Sequence, residues 1–164
     1  MVLAKGIANG FPVGVTITTD EIAAAWTRKT ISTFGGNPVC MAAAEATLDV
    51  MVREDVPTRS RQRGAQLRSG LDQFYSRYEW IGDIRGVGLM QAMELVEDPR
   101  SKQPSRRLAA ALLEAAKRER LLIGLAGASS NVARIAPSML VSEEEVEEAL
   151  DRLERALNRV NRVA

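Results

Sequence analysis

The chain contains no histidine and a single cysteine. The first absence removes the commonest general base, and the two together exclude an intrachain disulfide and a conventional zinc site, so no metal is expected. Acid–base chemistry therefore falls to lysine, to carboxylates or to a cofactor. No apolar run approaches the roughly 18 residues of a membrane span, and the first residues lack the charged start and apolar core of a signal peptide. A cytoplasmic protein is expected, with no membrane partner. Charge of one sign is lacking too: 22 basic residues against 21 acidic ones leave a net +1, with the two signs interspersed. That excludes the global field or basic patch that nucleic acid requires. What is present is globular, 46% hydrophobic and 26% charged over 164 residues, with no repeat or low-complexity tract.

The stretch Leu3-Ala4-Lys5-Gly6-Ile7-Ala8-Asn9-Gly10-Phe11-Pro12 sets one lysine at the end of a short apolar run beside a glycine-rich turn. Residues 1–4 read as strand, and so do the β-branched residues 13–18, which places Lys5 on the connection. Gly6, Gly10 and Gly14 allow that connection to bend and to approach a ligand. Thr19 caps an expected helix through Trp26, and 27–37 is a polar, glycine-rich loop. Asn37-Pro38 opens a helix that runs to about Glu54, with Val39, Ala43, Ala46 and Val50 on one face. A longer helix spans about 57–78, with Leu67, Leu71, Phe74 and Tyr78 facing a core.

The pattern then changes. Residues 80–88 and 89–96 read as two strands around a glycine-kinked turn, followed by a proline-containing loop at 97–105. A helix at 106–120, strands at 121–126 and 132–136, and a final helix capped by Ser142 and Glu145 complete the chain. Val146, Leu150, Leu153, Leu157 and Val160 form the last helix's buried stripe. The second half is an α/β or α+β layer arrangement.

Three places could carry chemistry. A lysine amine buried without a partner lowers its pKa, which is what Schiff-base chemistry needs; the alternative for Lys5 is a plain surface lysine at a strand end. Ser32-Thr33-Phe34-Gly35-Gly36-Asn37-Pro38 offers a hydroxyl, loop amides and a helix start, the elements of an anion site, although it is not a Walker loop; a plain helix cap is the alternative. Arg134 could clamp a carboxylate through two parallel hydrogen bonds, or sit in a surface ion pair. Arg85 reads as structural, with Asp83 as its local partner. Cys40 reads as core packing.

Four ordered strings, LAKGIANGFPVG at 3–14, STFGGNPVC at 32–40, IGDIRGVGLM at 81–90 and NVARIAPSML at 131–140, resemble the class III aminotransferases, pyridoxal-phosphate enzymes of fold type I. RIAPSM at 134–139 is most similar to the alanine:glyoxylate subgroup of the second type. The resemblance implies an α/β fold in which residues 1–56 end the cofactor-binding large domain and 57–164 form an α+β small domain with its linking helix. It makes Lys5 the Schiff-base lysine, which also carries the proton between substrate and cofactor. It makes Thr33 a ligand of the cofactor phosphate in the neighbouring subunit of a homodimer with shared active sites, and Arg134 the holder of the substrate carboxylate. The implied reaction moves an amino group from an amino acid such as alanine to a 2-oxo acid such as glyoxylate.

The resemblance begins just before the lysine. In the family a glycine-containing phosphate loop, an aromatic ring over the cofactor and an aspartate on the pyridine nitrogen lie upstream of it, so the expectation is the lysine-bearing C-terminal segment of a transaminase. Two alternatives accompany it: a catalytically incompetent remnant acting as an interaction module, and a class III aminomutase or racemase.

Overall fold

The computed structural model describes residues 1–161, and the chain divides into two compact units, Met1–Val56 and Pro57–Ala164. In the first unit β1 (Val2–Leu3) pairs antiparallel with β2 (Val15–Thr16), Val2 opposite Thr16 and Leu3 opposite Val15. Both strands are shorter than the apolar runs suggest. The ladder has only two strands, so little holds its ends once the backbone turns away at Lys5. α1 (Asp20–Ala24) starts at Thr19, whose hydroxyl accepts from the Ile22 amide at 3.4 Å. It stops short of Trp26, and Ile22 and Trp26 stay exposed, so no packing extends the helix.

α2 (Pro38–Arg53) has the expected start: Asn37 Oδ1 accepts from the Cys40 amide at 3.0 Å, with proline at the first helical position. Such a cap contributes about 1 kcal/mol. The buried face overlaps the expected one in part, keeping Ala43 and Val50 but not Val39 and Ala46. Val39 is 64% exposed, whereas Cys40 is buried and Ala43, Thr47 and Val50 are half-buried at helical spacing behind it. This stripe packs on the turn that carries Lys5. Thr47 sits within it because its hydroxyl donates to the Ala43 carbonyl at 2.7 Å.

The second unit is built on a four-stranded antiparallel sheet of order β3-β4-β6-β5, from β3 (Ile81–Val87), β4 (Met90–Leu95), β5 (Gly124–Ala126) and β6 (Val132–Ile135). α3 (Val56–Arg77), α4 (Arg106–Arg118) and α5 (Glu143–Asn161) supply the rest of its core. Leu67, Leu71 and Phe74 of α3, Leu108 and Leu112 of α4, and Val146, Leu153 and Leu157 of α5 close over Ile84, Met93 and Ala133 of the sheet. Leu150 is only partly buried. The hairpin turn between β3 and β4 lies on α3 at Gly64, where any side chain would collide with the Gly88 backbone.

β5 is three residues long, not the expected six, because α4 ends in a hydrogen-bonded cap that consumes the start of that run. Arg120 adopts φ 59°, its amide donates to Lys117 O at 2.9 Å, and the Leu121 amide donates to Ala116 O at 2.9 Å. Arg152 of α5 donates to the carbonyls of Glu119 and Arg120 at 3.0 and 3.2 Å. Arg155 and Arg159 donate to the Glu119 carboxylate at 2.9 and 2.5 Å. Ser142 and Glu145 form the expected capping box on α5, each backbone amide donating to the other's side chain at 2.8 and 3.2 Å. Among the described residues no helix is long and apolar enough to cross a membrane.

Two outcomes follow for the second unit. Leu112→Ala, at a fully buried position, is expected to cost about 2–5 kcal/mol in urea unfolding followed at the buried Trp80, while Leu122→Ala, 90% exposed, stays within about 0.5 kcal/mol. Hydrogen bonds from Arg155 and then Arg159 hold the Glu119 carboxyl below its ordinary 4.5, so its contribution is present above pH 4.5 and is lost as pH falls through the lowered folded value. Glu119→Gln should therefore flatten the acid limb of the stability–pH curve below 4.5; an unchanged slope contradicts the assignment.

Candidate active site

Lys5 opens a 3-10 turn, Lys5–Ala8, that connects the two short strands. Its φ is 59°, in the left-handed region that a lysine adopts at a cost of about 1–3 kcal/mol. The turn is held from both ends. Ala8 is fully buried, Asn9 caps the turn at φ 46°, the Asn9 amide donates back to Gly6 O at 3.1 Å and the Phe11 amide to Ala8 O at 3.1 Å. The Lys5 side chain is exposed rather than buried, and its amine has no partner among the described residues. Of the three glycines nearby only Gly10 has a positive φ, 108°, and none has a neighbour that a Cβ would meet within 4 Å.

Thr33 lies in a loop of two overlapping turns. The Gly35 amide donates to Ser32 O at 3.2 Å, the Asn37 amide to Phe34 O at 3.3 Å, and Asn37 Nδ2 also to Phe34 O at 2.9 Å. Its hydroxyl is exposed and unpartnered among the described residues. The helix start behind it offers less than expected to an anion: Pro38 has no amide proton, and the Cys40 amide is taken by Asn37. Donors for an anion here come from the Thr33 hydroxyl and the loop. Cys40 is buried and free, in keeping with packing.

Arg134 stands within β6, opposite Ala92 of β4 on one side and Gly124 of β5 on the other. Its guanidinium lies over Gly124, with Nε and Nη2 each 3.5 Å from where a Cβ would be. The side chain is exposed and pairs with no carboxylate among the described residues. Arg85 behaves differently: its Nη1 donates to Asp83 Oδ2 at 2.6 Å and to Glu94 Oε2 at 2.5 Å. The hydrogen bonds to Asp83 and then Glu94 hold its pKa above the ordinary value. Asp83 was legible as a partner from sequence; Glu94 was not singled out, although strand alternation puts it on the same polar face. Lys5 and Thr33 belong to the first unit and Arg134 to the second. Among the described residues no cluster of His, Cys, Asp or Glu could hold a metal.

Solved transaminase structures share this α/β fold over nearly the whole chain. An amine transaminase from an uncultivated Pseudomonas species in its PLP-bound form matches with a TM-score of 0.88 at 32% identity, over 97% of this chain and 38% of that one. The family description "Aminotransferase class-III" matches residues 1–157, and the chain belongs to that family. An Arabidopsis thaliana protein named alanine–glyoxylate aminotransferase 2 homolog 2, mitochondrial, is 35% identical over 96% of this chain and 33% of its own length. A Caenorhabditis elegans protein named ethanolamine-phosphate phospho-lyase homolog 1 is 34% identical over 98% of this chain and 35% of its own length. The chain thus spans about a third of the length of the curated relatives it matches.

Proposed function

We propose that this chain supplies the lysine-bearing part of a pyridoxal-phosphate-dependent transaminase that moves an amino group from an amino acid such as alanine to a 2-oxo acid such as glyoxylate. The observation that carries the reading is the unpartnered Lys5 amine on a turn fixed against its own backbone preference. The residues fit the cofactor: an aldehyde requires a free amine, which Lys5 has, and a phosphate requires donors, which the Thr33 hydroxyl and its loop offer. When bound, pyridoxal phosphate supplies an electron sink for the bonds of the substrate α-carbon.

With the cofactor bound, Lys5 Nζ would be the amine that holds its aldehyde carbon and, when free of it, the base that takes the proton from the substrate α-carbon. Arg134 holds the substrate carboxylate with two parallel N–H···O bonds, a role open to it because no acid among the described residues pairs with the guanidinium. Thr33 reaches the cofactor phosphate of a second copy of the chain. Ile31 and Phe34, 97% and 80% exposed on either side of Thr33, support a homodimer, since apolar surface of this kind is what a subunit interface covers. In this proposal residues 1–56 finish the cofactor-binding domain and 57–164 are the small domain. The proposed compartment is the cytoplasm, in keeping with the free thiol of Cys40.

The full chain with pyridoxal phosphate is expected to gain a visible absorption band, with a borohydride-fixed link at Lys5 found by mass spectrometry and abolished in Lys5→Ala. Alanine and glyoxylate should give pyruvate and glycine, and Arg134→Ala should raise KM about tenfold or more with little change in kcat. A folded chain that neither links cofactor at Lys5 nor turns over would instead support a non-catalytic interaction module. Release of phosphate from phosphoethanolamine without amino transfer would favour the chemistry in the name of the nematode relative.

A further inference from the structure

Arg134 shares the open face of its sheet with two carboxylates, Asp83 and Glu94, yet pairs with neither. The register explains how close this is. Arg85 stands opposite Ala92, Ala92 stands opposite Arg134, and Glu94 lies two residues along β4 from Ala92 on the same face. Glu94 is therefore the diagonal neighbour of both arginines, at the roughly 7–8 Å spacing that long side chains bridge.

Both side-chain oxygens of Glu94 are engaged by groups other than Arg134. Its Oε2 accepts from Arg85 Nη1 at 2.5 Å, and its Oε1 accepts from Asn131 Nδ2 at 3.3 Å. Asp83, directly opposite Glu94 on β3, accepts from the same nitrogen at 2.6 Å, so one guanidinium bridges the two facing carboxylates. The Arg134 guanidinium leans the other way, over Gly124 of β5, where the missing side chain leaves it room.

We propose that Arg85 is a positioning residue for the carboxylate site at Arg134: by engaging Glu94 it keeps the one neighbouring acid within diagonal reach off Arg134, so that the guanidinium stays open to a substrate carboxylate. The inference rests on the carboxylate-clamp reading of Arg134. Without Arg85, Glu94 becomes an intramolecular competitor for the same five N–H donors. An exposed ion pair of ordinary strength then occupies Arg134 for enough of the time to weaken binding of an external carboxylate about threefold to sixfold.

The test uses the full chain, with glyoxylate as the probe and the Arg134 Nε–Hε NMR resonance as the readout. Arg85→Gln is expected to move that resonance before any ligand is added and to raise the glyoxylate Kd about threefold to sixfold. Adding Glu94→Gln should return both to their starting values, which no general damage to the sheet would do, and Arg85→Lys should keep both near them. An unmoved resonance and unchanged Kd in Arg85→Gln, or a loss that Glu94→Gln fails to reverse, overturns the proposal. A resonance in the unsubstituted protein that glyoxylate never shifts refutes the carboxylate site itself. The ligand-free comparison still reports, separately, whether Glu94 crosses to Arg134.

Discussion

The four-stranded sheet is dry on one face and wet on the other, and that asymmetry decides where its ionisable groups stand. Ile84, Met93 and Ala133 point into the core, while Asp83, Arg85, Glu94 and Arg134 alternate with them on the open side. A slip of one residue in β6 would send Arg134 into the core and bring Ala133 out, at a cost of several kcal/mol for the unpaired charge alone. The stripes of α3, α4 and α5 therefore pin the register of a guanidinium that they do not touch.

The same core fixes the platform beside Arg134. The end of α4 is held by Arg152 on its last carbonyls and by Arg155 and Arg159 on Glu119, so α5 sets the point at which the chain leaves the helix. From there Leu121 is tied back to Ala116, and Leu121 and Ile123 pack on the core before β5 begins at Gly124. β5 thus begins at the residue whose register sets it opposite Arg134, and that residue is glycine. The cation ends up with a small neighbour on each side, Ala92 and Gly124, and its nearest acid engaged elsewhere.

Much of this was legible in sequence where one physical rule acted alone. Asn37-Pro38, Ser142 with Glu145, and the helical spacing of Leu67, Leu71 and Phe74 each specify a local structure, and each appears as read. Errors arose where two rules competed. The run at 121–126 looks like strand by composition, but the α4 cap claims its first residues. On α2 hydrophobicity points to Val39, Ala43, Ala46 and Val50, yet Val39 and Ala46 are exposed, and Cys40 and Thr47 join Ala43 and Val50 on the inward side. The engagement of Glu94 by Arg85 depends on cross-strand register, which spacing within one strand does not encode.

Within the first unit, the backbone says something that composition does not. Two residues four apart on the same connection, Lys5 and Asn9, both lie in the left-handed region. Asparagine tolerates that conformation through its short polar side chain, and glycine would adopt it freely; lysine does neither. The turn around position 5 is held by the buried Ala8, by the Asn9 cap and by the packing of α2, so it has the means to keep a disfavoured residue there. Glycine at position 5 would relieve the strain but remove the amine. Under the proposed function that strain has a reason, since the role given to position 5 needs the amine that glycine would lack.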